Sequence, residues 1–415
     1  MTSTARCPWS SRTGALMKSS EIRIQSGAQV DGANRGTVFS AEHEIFRETC
    51  RRFYEKELEP HYLRWEKEGK GTDKEFWKKA AHAGLVGMAI PEEYGGPGGD
   101  FLYNLIQNEE MGRFVGGASV GAAIATDVMT TVLVAHGTHE QKQRWCPGIL
   151  RGDVVQALGL TEPGSGSDVS GLQSRARKQG GEYLLGGNKC YMSSGDKADL
   201  LYVVAKTDRD IEQGRGAMTM FLVDSKLPGV VAKRMDTLGM RASSVGECFF
   251  DDVRVPADCI LGAEGEALKT VLKGTFVADR TIIAARALAV AELAFGLTLE
   301  YVKNRKVFGQ RVFDFQNTQF KLAEMKTEIA VGKGFLDSVL RKIVAGELDP
   351  TTATIAKLWL TEMEYRVADT CLQLHGGYGY MTESAISRIY SYARVEPIYG
   401  GTSEIQKVNI AKSLR

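Results

Sequence analysis

The stretch GTFVADRTIIAARALAVAELAFGLTLEYVKNRKVFG, residues 274–309, decides the fold of this 415-residue chain. It contains no proline, is dense in Ala and Leu, and repeats its apolar side chains at helical spacing. The repeat consists of Phe276, Ile283, Ala287, Val290 and Ala294. This spacing predicts one long buried helix that ends in a basic, glycine-closed turn at residues 305–309.

Asp279 lies three positions after Phe276, so its carboxylate falls inside the apolar stripe of this helix. Burial disfavours the charged form of a carboxyl group and raises its pKa, which turns a weak base into a usable one. Asp279 is therefore a candidate general base. The alternative is an ordinary ion pair between Asp279 and Arg280 or Arg286.

Composition excludes several classes of partner. The chain carries 52 basic and 51 acidic residues, a net charge of +1, so we expect no nucleic-acid partner. It has no run of eighteen apolar residues, so we expect no integral membrane segment. The seven cysteines are scattered without metal-ligand spacing. This indicates no metal site and reduced thiols in a soluble intracellular protein.

The first 37 residues differ in composition from the rest. Arg6, Arg12 and Lys18 occur there without an acidic residue in the first twenty positions. We predict either a disordered leader or a mitochondrial transit segment. The expected location is the cytoplasm in a bacterium and the mitochondrial matrix in a eukaryote.

The hydrophobic period predicts an α+β multi-domain protein that is mostly α. Helical periodicity covers residues 38–155, where Ser40 is expected to cap a first helix with Ile45 and Phe46 on its buried face. A period of two follows over residues 156–263 and predicts a small β-barrel or sandwich. Helical periodicity returns over residues 264–415 as a C-terminal bundle. The predicted strands are residues 183–185, 189–192, 200–205, 218–223 and 248–255.

Three glycine-rich loops are candidates for ligand binding. The loop LTEPGSGSD at residues 160–168 offers hydroxyls from Thr161 and Ser167 together with free backbone N–H groups, although an ordinary turn has the same composition. The loops at residues 373–380 and 398–405 each adjoin a helix, and Thr402 is a candidate cap at a phosphate-accepting helix N-terminus. Arg305 and Phe308 suit a diphosphate and an adenine ring.

Six blocks taken together resemble the acyl-CoA dehydrogenase family over nearly all of residues 38–415. They are PEEYGGPGGD (91–100), LTEPGSGSD (160–168), LGMRASSVGECFFDDVRVP (238–256), NRKVFG (304–309), QLHGGYGYM (373–381) and IYGGTSEIQK (398–407). The resemblance implies a helical, a β and a second helical domain around FAD, in a homotetramer. It also implies oxidation of an acyl-CoA to the trans-2-enoyl-CoA, with electrons passed to an electron-transferring flavoprotein.

The resemblance also assigns residues by their matching positions. The implied cofactor contacts are Leu160, Thr161, Ser167, Tyr191, Ser193, Arg305, Phe308, Gln316, Gln373, Gly376, Gly377, Thr402 and Glu404. Of these, Gln373, Gly376 and Gly377 match contacts made from a neighbouring subunit. The implied substrate contacts are Ser167, Arg280, Tyr399, Gly400 and Gly121, the last at the floor of the acyl pocket. The implied catalytic residues are Asp279 and Arg280.

Gly400 departs from most of the family, which carries a catalytic glutamate at this position. Long-chain and isovaleryl-type members lack it too and place the glutamate on the long helix, immediately before an arginine. The matching residue here is Asp279, before Arg280. An aspartate is one methylene shorter, and a misplacement of about 1 Å can cost on the order of a hundredfold in rate.

The shortened base leaves other functions open. The chain could act on an acyl-carrier-protein thioester, or be an oxidase or a lyase-type member with the same fold and flavin. With Gly400 in place of a glutamate, it could also be a non-catalytic protein that binds flavin or acyl-CoA.

Overall fold

The computed structural model describes residues 38–120, 127–214 and 217–415. The predicted leader and Gly121 lie outside the described residues. An N-terminal helical region comes first. Its elements are α1 (Ala41–Phe53), a π-helical turn (Tyr54–Leu58), α2 (Tyr62–Glu68), α3 (Lys74–His82), α4 (Phe101–Gly112), α5 (Val115–Val120), α6 (Val128–His136) and α7 (His139–Leu150).

Helix α1 begins where the sequence predicts. The Ser40 hydroxyl accepts the backbone N–H of His43 at 3.3 Å, which satisfies one of the unpaired amides of the first turn. The buried face carries Phe46, as predicted, but Ile45 is 69% exposed and that prediction is wrong. His43 takes the buried position and hydrogen-bonds to Asp100 at the start of α4.

The central region is a curled, seven-stranded sheet. Its strands are β1 (Gln156–Gly159), β2 (Arg175–Gln179), β3 (Glu182–Ser193), β4 (Leu200–Thr207), β5 (Thr219–Asp224), β6 (Val230–Arg234) and β7 (Val245–Pro256), with helix α8 (Asp208–Gln213) between β4 and β5. The order is β1-β4-β2-β3-β7-β6, and β5 pairs with β4. A hydrophobic core of its own lies inside the curl and includes Tyr183, Phe221 and Phe250.

Three features of this sheet correct the predicted strands. Residues 183–185 and 189–192 belong to one strand, β3, which pairs with β7 on both sides of an irregularity between Leu185 and Gly187. A second irregularity between Lys189 and Met192 leaves Cys190 and Tyr191 out of register. Strands β1, β2 and β6 were not predicted: β1 is only four residues long, and β2 and β6 are largely polar or exposed.

The C-terminal bundle is built around α9 (Leu272–Asn304), the predicted long helix, which is buried over most of residues 281–294. A hairpin of β8 (Lys306–Val307) and β9 (Gln310–Arg311) follows, and Phe308 and Gly309 at its tip have φ of 50° and 77°. The other helices are α10 (Gln316–Val344), α11 (Pro350–His375), α12 (Ala385–Ala393) and α13 (Ser403–Ser413). Helix α9 packs most extensively on α11 and α4.

Among the described residues, α9 alone is long and apolar enough to cross a membrane by length and composition. However, 72% of its most apolar window is buried inside the protein. A helix that is apolar on all sides can equally be the centre of a protein core. The packing of α9 against α4 and α11 gives it that position here.

Candidate active site

Asp279 and Gly400 meet at one point although they lie far apart in the chain. A Cβ atom built on Gly400 would lie 3.3 Å from Asp279 Oδ2 and 2.6 Å from Ile283 Cδ1. Gly400 has φ of +64°, a conformation that glycine adopts without strain. The loop therefore approaches α9 closely, and the carboxylate from α9 occupies the space that a side chain at residue 400 would enter.

The Asp279 carboxyl group is electrostatically unusual. Burial raises its pKa from the ordinary value of 3.8 to about 6, and Glu396 adds to the increase. The cations Arg286, Arg280 and Lys357 act in the opposite direction. A pKa near 6 leaves the carboxylate mostly ionised at neutral pH and makes it a much stronger base than an exposed aspartate.

Arg280 follows Asp279 on α9 but turns toward α11. Its Nη1 donates to the Thr354 hydroxyl at 3.2 Å, and its guanidinium lies 6.0 Å from the centre of the Phe276 ring. Its buried Nε has no hydrogen-bond partner among the described residues. Arg280 is thus a half-buried cation beside the Asp279 carboxylate with one donor free.

The loop that carries Gly400 is held from two sides. Lys357 Nζ on α11 donates to the Gly401 carbonyl at 2.9 Å, and Gln406 Nε2 on α13 donates to the Gly400 and Gly401 carbonyls at 2.9 Å each. Thr402 caps α13 as expected, since its hydroxyl accepts the Ile405 N–H at 3.3 Å. These bonds aim the backbone of the loop at Asp279.

The loop at residues 160–168 is anchored by a buried ion pair. Lys189 Nζ on β3 lies 2.7 Å from Glu162 Oε1 and 3.2 Å from the Leu160 carbonyl oxygen. Glu162 also accepts the backbone N–H groups of Gln173 and Ser174, and with Lys189 these bonds hold its pKa below the usual range. The pair fixes Leu160 and Glu162, while Ser167 stays exposed and Thr161 is partly exposed.

The irregularity in β3 presents Tyr191 to solvent. Tyr191 has φ of 57°, which is a strained backbone conformation for a bulky residue. Its side chain is 66% exposed, which is unusual for an aromatic ring. Ser193, half-buried, ends the same strand and pairs with Val245. The bulge therefore places an open aromatic face and a hydroxyl on one strand, opposite the loop that Lys189 anchors.

A second candidate site lies at the far end of α9. A cavity of about 510 Å³ is lined by Arg305, Gln373, Gly376 and Gly377, all of which the sequence predicts as cofactor contacts. The Arg305 guanidinium lies 5.5 Å from the centre of the Tyr378 ring on one wall. The remaining predicted contacts are more open: Phe308 is 95% exposed at the hairpin tip, Gln316 is exposed at the start of α10, and Glu404 is exposed in the first turn of α13.

Comparison with known proteins shows that one protein family accounts for the fold. Family models for the N-terminal, middle and C-terminal domains of acyl-CoA dehydrogenases match residues 40–153, 157–253 and 269–415. The long-chain specific acyl-CoA dehydrogenase of Mus musculus mitochondria is 37% identical over 413 residues, 99% of this chain and 95% of that protein. The chain belongs to the acyl-CoA dehydrogenase family.

Two further comparisons support the assignment. The mitochondrial isovaleryl-CoA dehydrogenase of Arabidopsis thaliana is 33% identical over 371 residues, 89% of this chain and 90% of that protein. The crystal structure of an acyl-CoA dehydrogenase from Geobacillus kaustophilus has a TM-score of 0.87 and 39% identity, covering 91% of this chain and 98% of that one. The protein is therefore an FAD-dependent oxidoreductase.

The described residues offer the donor set that FAD needs. The exposed Tyr191 ring and the Ser193 hydroxyl suit a flat, polar-edged ring system, and Arg305 with Gln373 suits a diphosphate in the distal cavity. When bound, FAD supplies the hydride-accepting ring. No group of three or more His, Cys, Asp or Glu residues within residues 38–120, 127–214 and 217–415 is placed to hold a metal ion.

Four residues of the site were not predicted from the sequence. Lys189 and Glu162 anchor the loop at 160–168, and Lys357 and Gln406 anchor the loop at 398–402. A sequence signal existed for two of them, since Lys189 interrupts a β-prone run and Lys357 interrupts an apolar helical run. A buried lysine in such a run needs a partner, but the sequence does not say which one.

Proposed function

We propose that this protein is an acyl-CoA dehydrogenase in which Asp279 removes the α-proton of an acyl-CoA while the β-hydride leaves for FAD. The observation that carries the proposal is the meeting of Asp279 and Gly400, with 3.3 Å between the carboxylate and the position of a Gly400 Cβ. These are the two positions at which the resemblance places the family's base. One is a glycine, and the other is a carboxylate with a pKa of about 6.

The surrounding residues supply the other requirements of this reaction. Removal of an α-proton needs donors on the thioester oxygen, because negative charge develops there. The backbone of Gly400, held by Lys357 and Gln406, supplies a donor beside the base, and Arg280 adds a cation. Asp279 is partly buried, and a bound acyl chain would exclude more of the water that would otherwise weaken these interactions.

The substrate class follows from the relatives. The Mus musculus relative is long-chain specific and the Arabidopsis thaliana relative acts on isovaleryl-CoA, so we propose a saturated straight or branched acyl-CoA, in fatty-acid β-oxidation if it is long. We further propose an electron-transferring flavoprotein as acceptor, and an intracellular location where that acceptor occurs.

The test is an anaerobic titration of the purified holoenzyme with acyl-CoAs of increasing length, followed at the flavin absorbance. We expect bleaching with at least one chain length, an enoyl-CoA product, and a reduction rate in Asp279→Asn that is about 10²- to 10⁴-fold lower. The control is Asp251→Asn, an exposed carboxylate on β7, which should react like the unmodified protein. Equal bleaching by Asp279→Asn would refute the assignment.

Product analysis separates the other family reactions. With oxygen and no added acceptor, hydrogen peroxide formed at the rate of turnover would identify an oxidase. Reduction by an acyl-carrier-protein thioester but by no acyl-CoA would identify a biosynthetic variant. A flavin that no thioester reduces would indicate a binding protein.

A further inference from the structure

Arg286 is a buried cation for which the proposed reaction has no role so far. It lies seven residues after Asp279 on α9, so the two side chains share one face about 10.5 Å apart along the axis. Arg286 is 1% exposed and is among the largest fully buried side chains. Burying a guanidinium costs several kcal/mol unless every donor is paired. The hydrogen-bond partners of Arg286 therefore indicate its role in the structure.

The partners of Arg286 come from two directions. Its Nη1 donates to Asn108 Oδ1 on α4 at 3.2 Å, and its Nε donates to Glu396 Oε1 at 3.4 Å. Its Nη2 donates to the Tyr399 hydroxyl, which itself donates to Glu396 Oε1 at 2.6 Å. Glu396 and Tyr399 both lie in the segment between α12 and α13. One guanidinium thus ties α4 and this segment to the middle of α9.

Tyr399 connects this cluster to the reacting position, because the next residue is Gly400. The Gly400 backbone stands against Asp279, and Ile283 lies on α9 between Asp279 and Arg286. Displacement of Tyr399 would therefore move Gly400 relative to the Asp279 carboxylate. For an aspartate that is one methylene short, the position of this loop matters more than it would for a glutamate.

The charges around Asp279 also depend on Arg286. Asp279 faces Arg280 and Arg286 from α9, Lys357 from α11 and Glu396 from the segment before Gly400, and Arg286 opposes the effect of burial most strongly. A second buried carboxyl group, Glu364 on α11, has no hydrogen-bond partner among the described residues. Burial and Glu396 raise the pKa of Glu364 well above its usual range, which disfavours a second negative charge beside Arg286.

We propose that Arg286 is a positioning residue that holds the Tyr399–Gly400 backbone against Asp279 and supplies a fixed positive charge on the same face of α9. The inference rests on the proposed role of Asp279 as base. It assigns Arg286 two tasks, one geometric and one electrostatic, and the comparison of two variants separates them.

Arg286→Met removes both tasks. Without the guanidinium the pKa of Asp279 should rise by about one unit, the lower end of the effect of an arginine beside a carboxylate. The acid limb of the flavin-reduction rate should shift to higher pH by the same amount. At pH 6 the electrostatic part alone should slow reduction by about fivefold, and it should vanish above pH 9.

Arg286→Lys keeps the charge but cannot form the three-way contact. We expect an acid limb at the original pH and a rate reduced equally at all pH values. The control is Arg47→Met, which removes another largely buried arginine, paired with Glu109 and Glu110 on α4 away from Asp279. It should leave the acid limb in place. FAD content and thermal unfolding would show that each variant folds. If Arg286→Met does not fold, Arg286→Met with Glu396→Gln replaces it and is compared with Glu396→Gln alone, because Glu396 also raises the pKa of Asp279.

A readout other than turnover separates this inference from the proposed function. Infrared difference spectra of the holoenzyme against pH report protonation of buried carboxyl groups, and the band absent in Asp279→Asn belongs to Asp279. Its midpoint should lie about one unit higher in Arg286→Met than in the unmodified protein. An unchanged midpoint, or an unchanged pH profile and rate in Arg286→Met, would overturn the inference. If no acyl-CoA reduces the flavin, the proposed function fails while the infrared midpoint still tests Arg286.

Discussion

Asp279, the proposed base, also lowers the stability of the folded protein at neutral pH. Its pKa is raised in the folded protein, so folding favours the protonated form. A carboxyl group of this kind contributes its full stability below its unfolded pKa, and that contribution is lost as the pH rises through the folded pKa. The relevant window lies between the ordinary value of 3.8 and about 6.

We therefore expect Asp279→Asn to be more stable than the unmodified protein at pH 7 to 8. The two values differ by about two pKa units, which corresponds to about 3 kcal/mol that the unmodified protein loses across this window. Thermal unfolding of both holoproteins from pH 4 to pH 8 would measure it. The difference in unfolding temperature should grow with pH, and a constant difference would contradict burial as the cause.

Gly400 allows a second prediction at the scale of one residue. Gly400→Ala should destabilise the protein for two reasons, because φ is +64° and the new Cβ would lie 2.6 Å from Ile283 Cδ1. The backbone part costs of order 1–3 kcal/mol. The new methyl group would also displace the Asp279 carboxylate, so the rate of flavin reduction should fall even in correctly folded protein.

Gly98→Ala is the matched control for Gly400→Ala. Gly98 has φ of +66°, and no described atom lies within 4 Å of its Cβ position. It should show the backbone cost without the loss of rate. Equal rates in the two variants, measured by rapid-mixing flavin reduction, would show that residue 400 does not constrain Asp279.

At the scale of elements, the β3 bulge and the loop at residues 160–168 form one unit through Lys189 and Glu162. Removing one partner of a buried ion pair typically costs 3–5 kcal/mol, because the other charge stays buried without compensation. We expect Lys189→Met to lower the unfolding temperature and to release the loop and the FAD. FAD content after gel filtration would measure the second effect.

The double variant Lys189→Met, Glu162→Gln removes both charges. The amide at residue 162 has one accepting oxygen, so it keeps one of the bonds from the Gln173 and Ser174 N–H groups and loses the other. Because no charge stays buried without a partner, this variant should still be more stable than Lys189→Met alone. If it is no more stable, the anchoring bonds to the loop matter more than the uncompensated charge.

Elements that depend on periodicity could be predicted from the sequence, and contacts that depend on register could not. The run from Phe276 to Ala294 predicted α9, and the change of period predicted a β region between two helical ones. The polar strand β2 gave no signal, because only its second residue, Ala176, is buried. The Arg286–Glu396 pair joins residues 110 positions apart, so only the packing of α9 against the C-terminal segment brings them together.

At the scale of the whole molecule, α9 separates Asp279, the proposed base, from Arg305, a proposed FAD contact. Asp279 and Arg305 are 26 residues apart, the second at the end of the helix, so they lie about 39 Å apart along its axis. This distance exceeds the length of an extended FAD molecule. An FAD whose ring lies beside Asp279 cannot place its diphosphate against Arg305 of the same chain. We therefore propose that a second subunit supplies Arg305 and Gln373, in a homotetramer built from such pairs.

Shared sites predict that two inactive variants will restore each other. Asp279→Asn lacks the base, and Arg305→Met with Gln373→Leu lacks the distal contacts, so each homo-oligomer should be inactive. In a mixed pair, one site combines both defects, while the other takes an intact Asp279 from one chain and intact Arg305 and Gln373 from its partner. Random co-assembly in equal amounts should therefore restore about a quarter of the sites.

Co-expression followed by anaerobic flavin reduction measures the recovery, with separately expressed and then mixed variants as the control. If co-expression restores no activity, each chain supplies its own Arg305 and Gln373, and the proposed sharing of sites is wrong.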